Sequence, residues 1–226
     1  RFFTASRLKT RTTLDLVWSI GKKIANAQRD RKNKDRLFSP GLKILFSLAA
    51  LFLPLMAQAE VPKWKILPEK SSISFTATQN NAPVTGEFKT FTGEINFDPL
   101  QLSVSNVMLS IDIGSVTTSY PEIAKTLKTP EWFNVAQFPQ ATFKATSFTK
   151  TGDTTYEAKG TLTLRDKTAP LNVTFDLQPV TKTTTIAKGE ATLERSTFGV
   201  GRGEWASTDE VKDDVKINFT LAVTKQ

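Results

Sequence analysis

Five carboxylates, Glu204, Asp209, Glu210, Asp213 and Asp214, fall within eleven residues near the end of the chain. Paired carboxylates could act as acid and nucleophile in a glycosidase, or hold a calcium ion. Their spacing matches no calcium loop, and acidic turns joining strands are the commoner use of such residues. Arg165 and Arg195 offer planar forks able to grip a phosphate or carboxylate. An arginine at a strand end more often pairs with a carboxylate, such as Glu204, to close a barrel, and that structural role is the expected one here. Gly199, Gly201 and Gly203 superficially suggest a phosphate loop, but no helix follows and the spacing differs from the dinucleotide fingerprint. They read instead as a tight bend or bulge.

The chain contains no histidine and no cysteine. That removes the usual general base, the commonest metal ligand and all thiolate chemistry. Ser-His-Asp and Cys-His catalysis and His-rich zinc sites are therefore excluded.

Residues 43–59 have the form of a secretory signal. Lys43 supplies the positive start, Ile44 to Leu55 an apolar run of 12 residues broken only by Ser47 and Pro54, and Ala57-Gln58-Ala59 a small-x-small cleavage site. The run is too short to span a bilayer, which takes about 20 residues. Export with cleavage between Ala59 and Glu60 would leave 167 residues in the periplasm. Leu42 would open the signal if read from a non-standard initiation codon. Residues 1–41, with the charge run Arg29 to Arg36, then read as a non-native or disordered basic extension.

This division also splits the charge. Residues 1–59 hold 12 Lys/Arg against 3 Asp/Glu, a net of +9, whereas residues 60–226 hold 18 against 19, a net of −1. The basicity thus lies outside the domain, and no nucleic-acid partner is expected. Without disulfides the domain must be held by its own core, which a chain of this length supplies.

Along residues 60–226 the apolar positions recur with a period near two. Examples are Ile73, Phe75 and Ala77; Phe91, Gly93, Ile95 and Phe97; Val107, Leu109, Ile111 and Ile113; Leu162 and Leu164; Leu171, Val173, Phe175 and Leu177; and Val215 to Val223. Threonine fills many opposite positions, as on the wet face of an antiparallel sheet. Turn signals at Asp98-Pro99, Gly152-Asp153, Asp166-Lys167 and Asp213-Asp214 separate about eight strands. One stretch breaks the rhythm: Pro121 to Lys128 suits a short helix with proline in its first turn, followed by a turn at Glu131-Trp132-Phe133. An up-and-down barrel capped at one end and a two-sheet sandwich both fit this alternation.

Four segments in order carry a family likeness: Gly86-Glu87-Phe88 through Gly93-Glu94-Ile95-Asn96-Phe97-Asp98-Pro99; Trp132 to Pro139 with Thr142-Phe143; Gly160-Thr161-Leu162-Thr163-Leu164-Arg165; and Arg195-Ser196-Thr197-Phe198-Gly199-Val200-Gly201-Arg202-Gly203-Glu204-Trp205. Over essentially all of residues 60–226 the chain resembles the YceI-like family of lipid- and polyisoprenoid-binding proteins. The Gly-Glu-Trp ending is similar to the branch associated with cytochrome b561-type membrane proteins. Ile123 and Ala124 stand where many members carry an Arg-Asp pair, while Leu127 is retained. Asp166 stands where glycine is frequent.

The resemblance implies an all-β, eight-stranded antiparallel lipocalin-like barrel with a helical insertion capping one end. It also implies a carrier rather than an enzyme, holding a long apolar chain, whether polyisoprenoid, quinone-like or fatty-acyl, with no cofactor of its own. A cytochrome b561-type protein becomes a candidate partner, and a homodimer stays open. Candidate ligand contacts are Phe75, Phe91, Phe97, Phe143, Leu164, Phe175 and Phe219 on the strands. Leu127, Trp132, Phe133 and Phe138 belong to the cap, and Phe198 and Trp205 to the glycine-rich bend. The alternative is a non-enzymatic envelope domain whose lumen is filled by side chains and which acts through a protein partner.

Overall fold

A computed structural model describes residues 60–179 and 181–226. The expected signal segment and the extension before it lie outside the described residues. Eleven strands follow one another: β1 (Lys63–Ile66), β2 (Ser72–Gln79), β3 (Ala82–Phe88), β4 (Phe91–Asn96), β5 (Asn106–Asp112), β6 (Val116–Thr118), β7 (Gln140–Lys150), β8 (Thr155–Leu164), β9 (Lys167–Pro179), β10 (Thr184–Glu194) and β11 (Asp214–Lys225). The helix α1 (Pro121–Leu127) lies between β6 and β7.

The pairings resolve eleven segments into eight barrel strands. β1 and β2 lie in series along β11, with Ile66 opposite Val223 and Ser72 opposite Thr220. β3 and β4 likewise lie in series along β2 and β1, and β6 and β5 along β3 and β4. From β5 the ladder runs through β7, β8, β9, β10 and β11, and β11 returns to β1. Every neighbour is antiparallel and sequential, so the ring is an up-and-down barrel and not a sandwich. Closure leaves no long sheet edge to pair with another chain.

Local chemistry sets the kinks and turns. Between β1 and β2 the chain makes a 3₁₀ turn, and Ser71 Oγ bridges the interrupted ladder by donating to the Leu67 carbonyl (2.8 Å) and accepting from Ala222 N–H (3.0 Å). The β2–β3 hairpin turns on Asn80 and Asn81, both left-handed at φ 49° and 63°. Asparagine tolerates that region, which a two-residue hairpin needs to match strand twist. In β7 a bulge between Ala145 and Ser147 shifts the register. Ala141, Phe143 and Ala145 point inward before it, and Phe148 after it, so a strict alternation would have placed Phe148 outside.

The strand ends sort into two rims. At one, the hairpin rim, lie the β4–β5, β7–β8 and β9–β10 connections, with Leu100 almost wholly exposed at 92%. The other, the capped rim, receives the tight β2–β3 and β8–β9 turns, α1 with residues 128–139, and the long segment from Arg195 to Asp213. α1 begins with Pro121 at its first turn and buries Leu127, as the sequence predicts. Its continuation folds back through Trp132 N–H to the Thr129 carbonyl (3.1 Å) and Phe133 N–H to the Leu127 carbonyl (2.9 Å), which buries both aromatic rings. Among the described residues no helix is long and apolar enough to cross a membrane.

Candidate ligand-binding lumen

A cavity of about 280 Å³ runs inside the barrel from Trp64, Pro99 and Leu177 near the hairpin rim to Trp132, Phe133, Val200 and Val211 under the cap. Its lining is apolar apart from Thr185 and Arg195. The inward side chains have not filled it: Phe75, Phe88, Phe97, Phe133, Phe143 and Phe175 each keep 6–9% exposure, against 2% for Phe198, which packs away from the lumen. That residual surface faces the cavity. The volume lies near the lower end of small-ligand sites, roughly 300–1,000 Å³, as a slender ligand in an eight-strand barrel requires.

Glycines keep the space open. A Cβ on Gly86 would lie 2.3 Å from the Phe75 ring directly opposite, one on Gly160 2.8 Å from the Phe143 ring, and one on Gly189 2.5 Å from the Phe219 ring. Each ring lies flat along the wall over a glycine instead of reaching across the lumen. β10 makes the same provision with Thr185, Ala187, Gly189 and Ala191 along its inner face.

Of the thirteen sequence-predicted contacts, Phe75, Phe97, Leu127, Trp132, Phe133, Phe143, Leu164, Phe175 and Phe219 line this cavity. Phe91 is buried in the surrounding core without reaching the wall. Phe138 lies under Arg165, whose guanidinium carbon is 5.8 Å from its ring centre. Phe198 is buried beneath the glycine-rich bend, and Trp205 packs on the outer side of Trp132 at 5.6 Å between ring centres. The prediction did not single out Trp64, Phe88 and Phe148, which also line the lumen. Phe88 was legible as the end of an alternating segment; Phe148 was hidden by the bulge.

The arginines do not pair with Glu204, which is exposed. Arg195 is 2% exposed and donates to five backbone carbonyls: Lys212 (3.2 Å), Val200 (2.9 Å), Gly201 (3.3 Å), Ser207 (2.8 Å) and Val211 (2.8 Å). All five of its N–H groups are thereby used, so it ties the Arg195–Asp213 segment into one body. The role is structural, as expected, but the partners are carbonyls: the segment folds around the guanidinium and supplies its own acceptors. Gly201, at φ 78°, is part of that fit, because a Cβ there would lie 2.3 Å from Arg195 Nη1. Gly199 and Gly203 also have positive φ, which makes the bend the sequence suggested.

Arg165 holds the other side of the cap. It is 6% exposed and itself left-handed at φ 56°, a conformation that turns its side chain beneath the insertion. Its Nη1 donates to the carbonyls of Pro130 (3.0 Å) and Trp132. Burial, and then the nearby Arg202, push its pKa below the ordinary arginine value; burial does the same to Arg195. An arginine nonetheless stays charged in a protein. Among the described residues neither guanidinium makes a salt bridge, whereas Arg202 meets Asp166 at 3.5 Å on the surface. The segment and insertion are joined where the Glu131 carbonyl accepts from Gly201 N–H (2.9 Å) and Arg202 N–H (2.8 Å). Among the described residues two buried donors at this end have no partner, Trp132 Nε1–H and Arg165 Nε–H.

The acidic residues serve the same segment. Asp213 accepts from Ser196 N–H (2.8 Å) and Oγ–H (2.7 Å), and Asp209 accepts from Ser207 Oγ–H (2.9 Å). Among the described residues no three metal-ligating side chains come together.

Residues 64–223 match the family model described as a YceI-like domain. "Protein YceI" of Salmonella arizonae is 42% identical over 88 residues, a match covering 39% of this chain and 46% of the relative, so the chain spans about half the length of such curated relatives. The crystal structure of Burkholderia cenocepacia BcnA superposes with a TM-score of 0.67 at 30% identity, over 70% of this chain and 99% of that one. A polyisoprenoid binding domain from Saccharophagus degradans, implicated in plant cell wall breakdown, shares the fold at a TM-score of 0.60 and 16% identity, covering 73% and 99% of the two chains. With its lumen, its cap and this match across the whole barrel, the chain belongs to the YceI-like domain family.

Proposed function

We propose that this protein is a periplasmic carrier or store of a long-chain apolar lipid, polyisoprenoid, quinone-like or fatty-acyl, held in the barrel lumen. The observation that carries the reading is a continuous apolar cavity left unfilled by rings that lie along its wall over glycines. The described domain of a relative that binds polyisoprenoid supports it. Transfer from water contributes roughly 0.8 kcal/mol per methylene, so ten buried methylenes would stabilise the complex by about 8 kcal/mol before the costs of association. This work needs no reacting group. The signal-like segment at residues 43–59 supports export, and the Gly203-Glu204-Trp205 ending makes a cytochrome b561-type membrane protein the partner to try first.

Native mass spectrometry of protein purified from a periplasm, followed by solvent extraction, tests the reading. A stoichiometric adduct releasing a polyprenyl, quinone or acyl species is the expected result. Phe133→Asp, which puts a charge on the cap's inner face, is expected to abolish loading; a variant that still carries its lipid would rule out carriage in the capped lumen.

A further inference from the structure

We infer that the hairpin rim docks on the surface of an anionic lipid bilayer, with Leu100 and Val104 of the β4–β5 connection entering its outer layer. Among the described residues three large apolar side chains stand out in solvent, Leu100 at 92%, Tyr120 at 70% and Val104 at 52%, and two of them share this one connection. Their exposure does not come from a loose loop. Asp98 accepts from Leu100 N–H (2.9 Å) and from Gln101 Nε2–H (3.0 Å), while the buried Ser105 accepts at Oγ from Asp98 N–H (3.0 Å) and donates to the Gln101 carbonyl (3.0 Å). Leu102, between the two exposed residues, packs onto the core. A loop so fixed buries one leucine and holds another in water, where its apolar surface gains only by meeting a second apolar phase.

Area and charge select that phase. A specific protein interface buries roughly 1,200–2,000 Å², far more than two side chains offer, whereas a bilayer rewards each inserted apolar residue separately. Exposed lysines surround the connection: Lys63 lies opposite Asn96, Lys225 opposite Trp64, Lys150 ends β7, and Lys182 sits between β9 and β10. Three carboxylates share the rim. Asp98 is turned into the loop, Glu60 faces Lys63 at 3.8 Å, and Asp153 stands in the β7–β8 turn. Lysine stems let the ammonium groups stay at lipid phosphates while an apolar tip goes deeper, and each lysine near an anionic surface contributes about fivefold in affinity. The capped rim has the opposite character: Tyr120 stands there beside exposed Glu122, and Glu204, Asp209 and Glu210 are exposed on the long segment. Docking by the hairpin rim would also bring the lumen to the bilayer, because Pro99, next to Leu100, is exposed and lines the cavity. The inference rests on lipid carriage for its purpose and adds the place of exchange.

The chain has no cysteine, so Ser103→Cys, exposed on the same connection, takes a single nitrobenzoxadiazole label, and Glu122→Cys in α1 supplies the control. Protein purified from a periplasm is added to vesicles of mixed phosphatidylethanolamine and phosphatidylglycerol, or of phosphatidylcholine alone, and binding is read by co-sedimentation and label emission. The expected result is binding to the anionic vesicles that added salt weakens. The label of Ser103→Cys should shift to the blue and be quenched by spin-labelled lipid, while that of Glu122→Cys stays as it is in water. Leu100→Ser should cut vesicle affinity about tenfold, and Lys150→Glu with Lys182→Glu at least tenfold. Uptake of palmitate from cyclodextrin should be unchanged in Leu100→Ser, because Leu100 does not line the cavity. No binding to anionic vesicles, or a Ser103→Cys label that stays in water, overturns docking by this rim and leaves carriage standing. A protein that takes up no lipid yet binds vesicles through Leu100 overturns carriage and keeps docking. Self-association that Leu100→Ser abolishes, without vesicle binding, gives the patch to a second copy of the chain and overturns the membrane.

Discussion

The barrel's two ends carry a tryptophan each, and their indoles are treated in opposite ways. At the hairpin rim Trp64 is half-buried and its Nε1–H is spent on the Phe97 carbonyl; beneath the cap Trp132 is buried and its Nε1–H is free. The two rims differ similarly in their polar construction. The hairpin rim is closed by short connections and holds Leu100 out in solvent. The cap is bound together by Arg165 and Arg195 through backbone carbonyls. The cap is therefore a fixed floor to the lumen, framed by buried donors, whereas the opposite rim is closed by strand connections alone.

Breaking the floor should have the largest effect. Arg195→Met removes five donors at once and leaves carbonyls of Val200, Gly201, Ser207, Val211 and Lys212 to find new partners. Part of the loss is offset because a desolvated charge is also removed. The net cost is expected to be about 4 kcal/mol, and for a domain of this size Tm should fall by roughly 8–16 °C. Thermal unfolding followed by circular dichroism checks it; a fall of a degree or two would mean the segment holds itself together without the guanidinium.

The next effect sharpens the contrast between floor and lumen. Gly86→Ala places a methyl group where the Phe75 ring now lies, 2.3 Å away, and 2.9 Å from the Thr117 carbonyl oxygen. The ring must swing into the cavity. A stability cost of about 1–2 kcal/mol should accompany a clear drop in lipid bound per protein, measured by native mass spectrometry. Undiminished loading would mean the ligand does not use that part of the wall.

Glycine and small residues also explain what the sequence concealed. Strands with bulky inward residues, such as Leu171-Val173-Phe175-Leu177, announced themselves by period. β10 did not, because its inner face is Thr185, Ala187, Gly189 and Ala191, small so that the ring of Phe219 can lie over it. The period is weakest where the lumen is made. The eight-strand barrel and the helical insertion were legible from alternation, proline placement and family resemblance together. The cap's polar frame was not, because Arg165 and Arg195 are answered by backbone carbonyls, which every residue possesses and no side-chain motif marks.

The smallest effect tests the two indoles directly. Trp64→Phe strands the Phe97 carbonyl and should cost about 1 kcal/mol in excess of the lost ring volume. Trp132→Phe removes a donor that had no partner, so in the empty protein its cost should be lower by about the same amount, although Trp132 is the more deeply buried of the two. Urea unfolding of both variants, with m-values compared to confirm an unchanged transition, reads the difference. Equal penalties for the two variants would mean that the bond from Trp64 to the Phe97 carbonyl adds nothing to the stability of that rim.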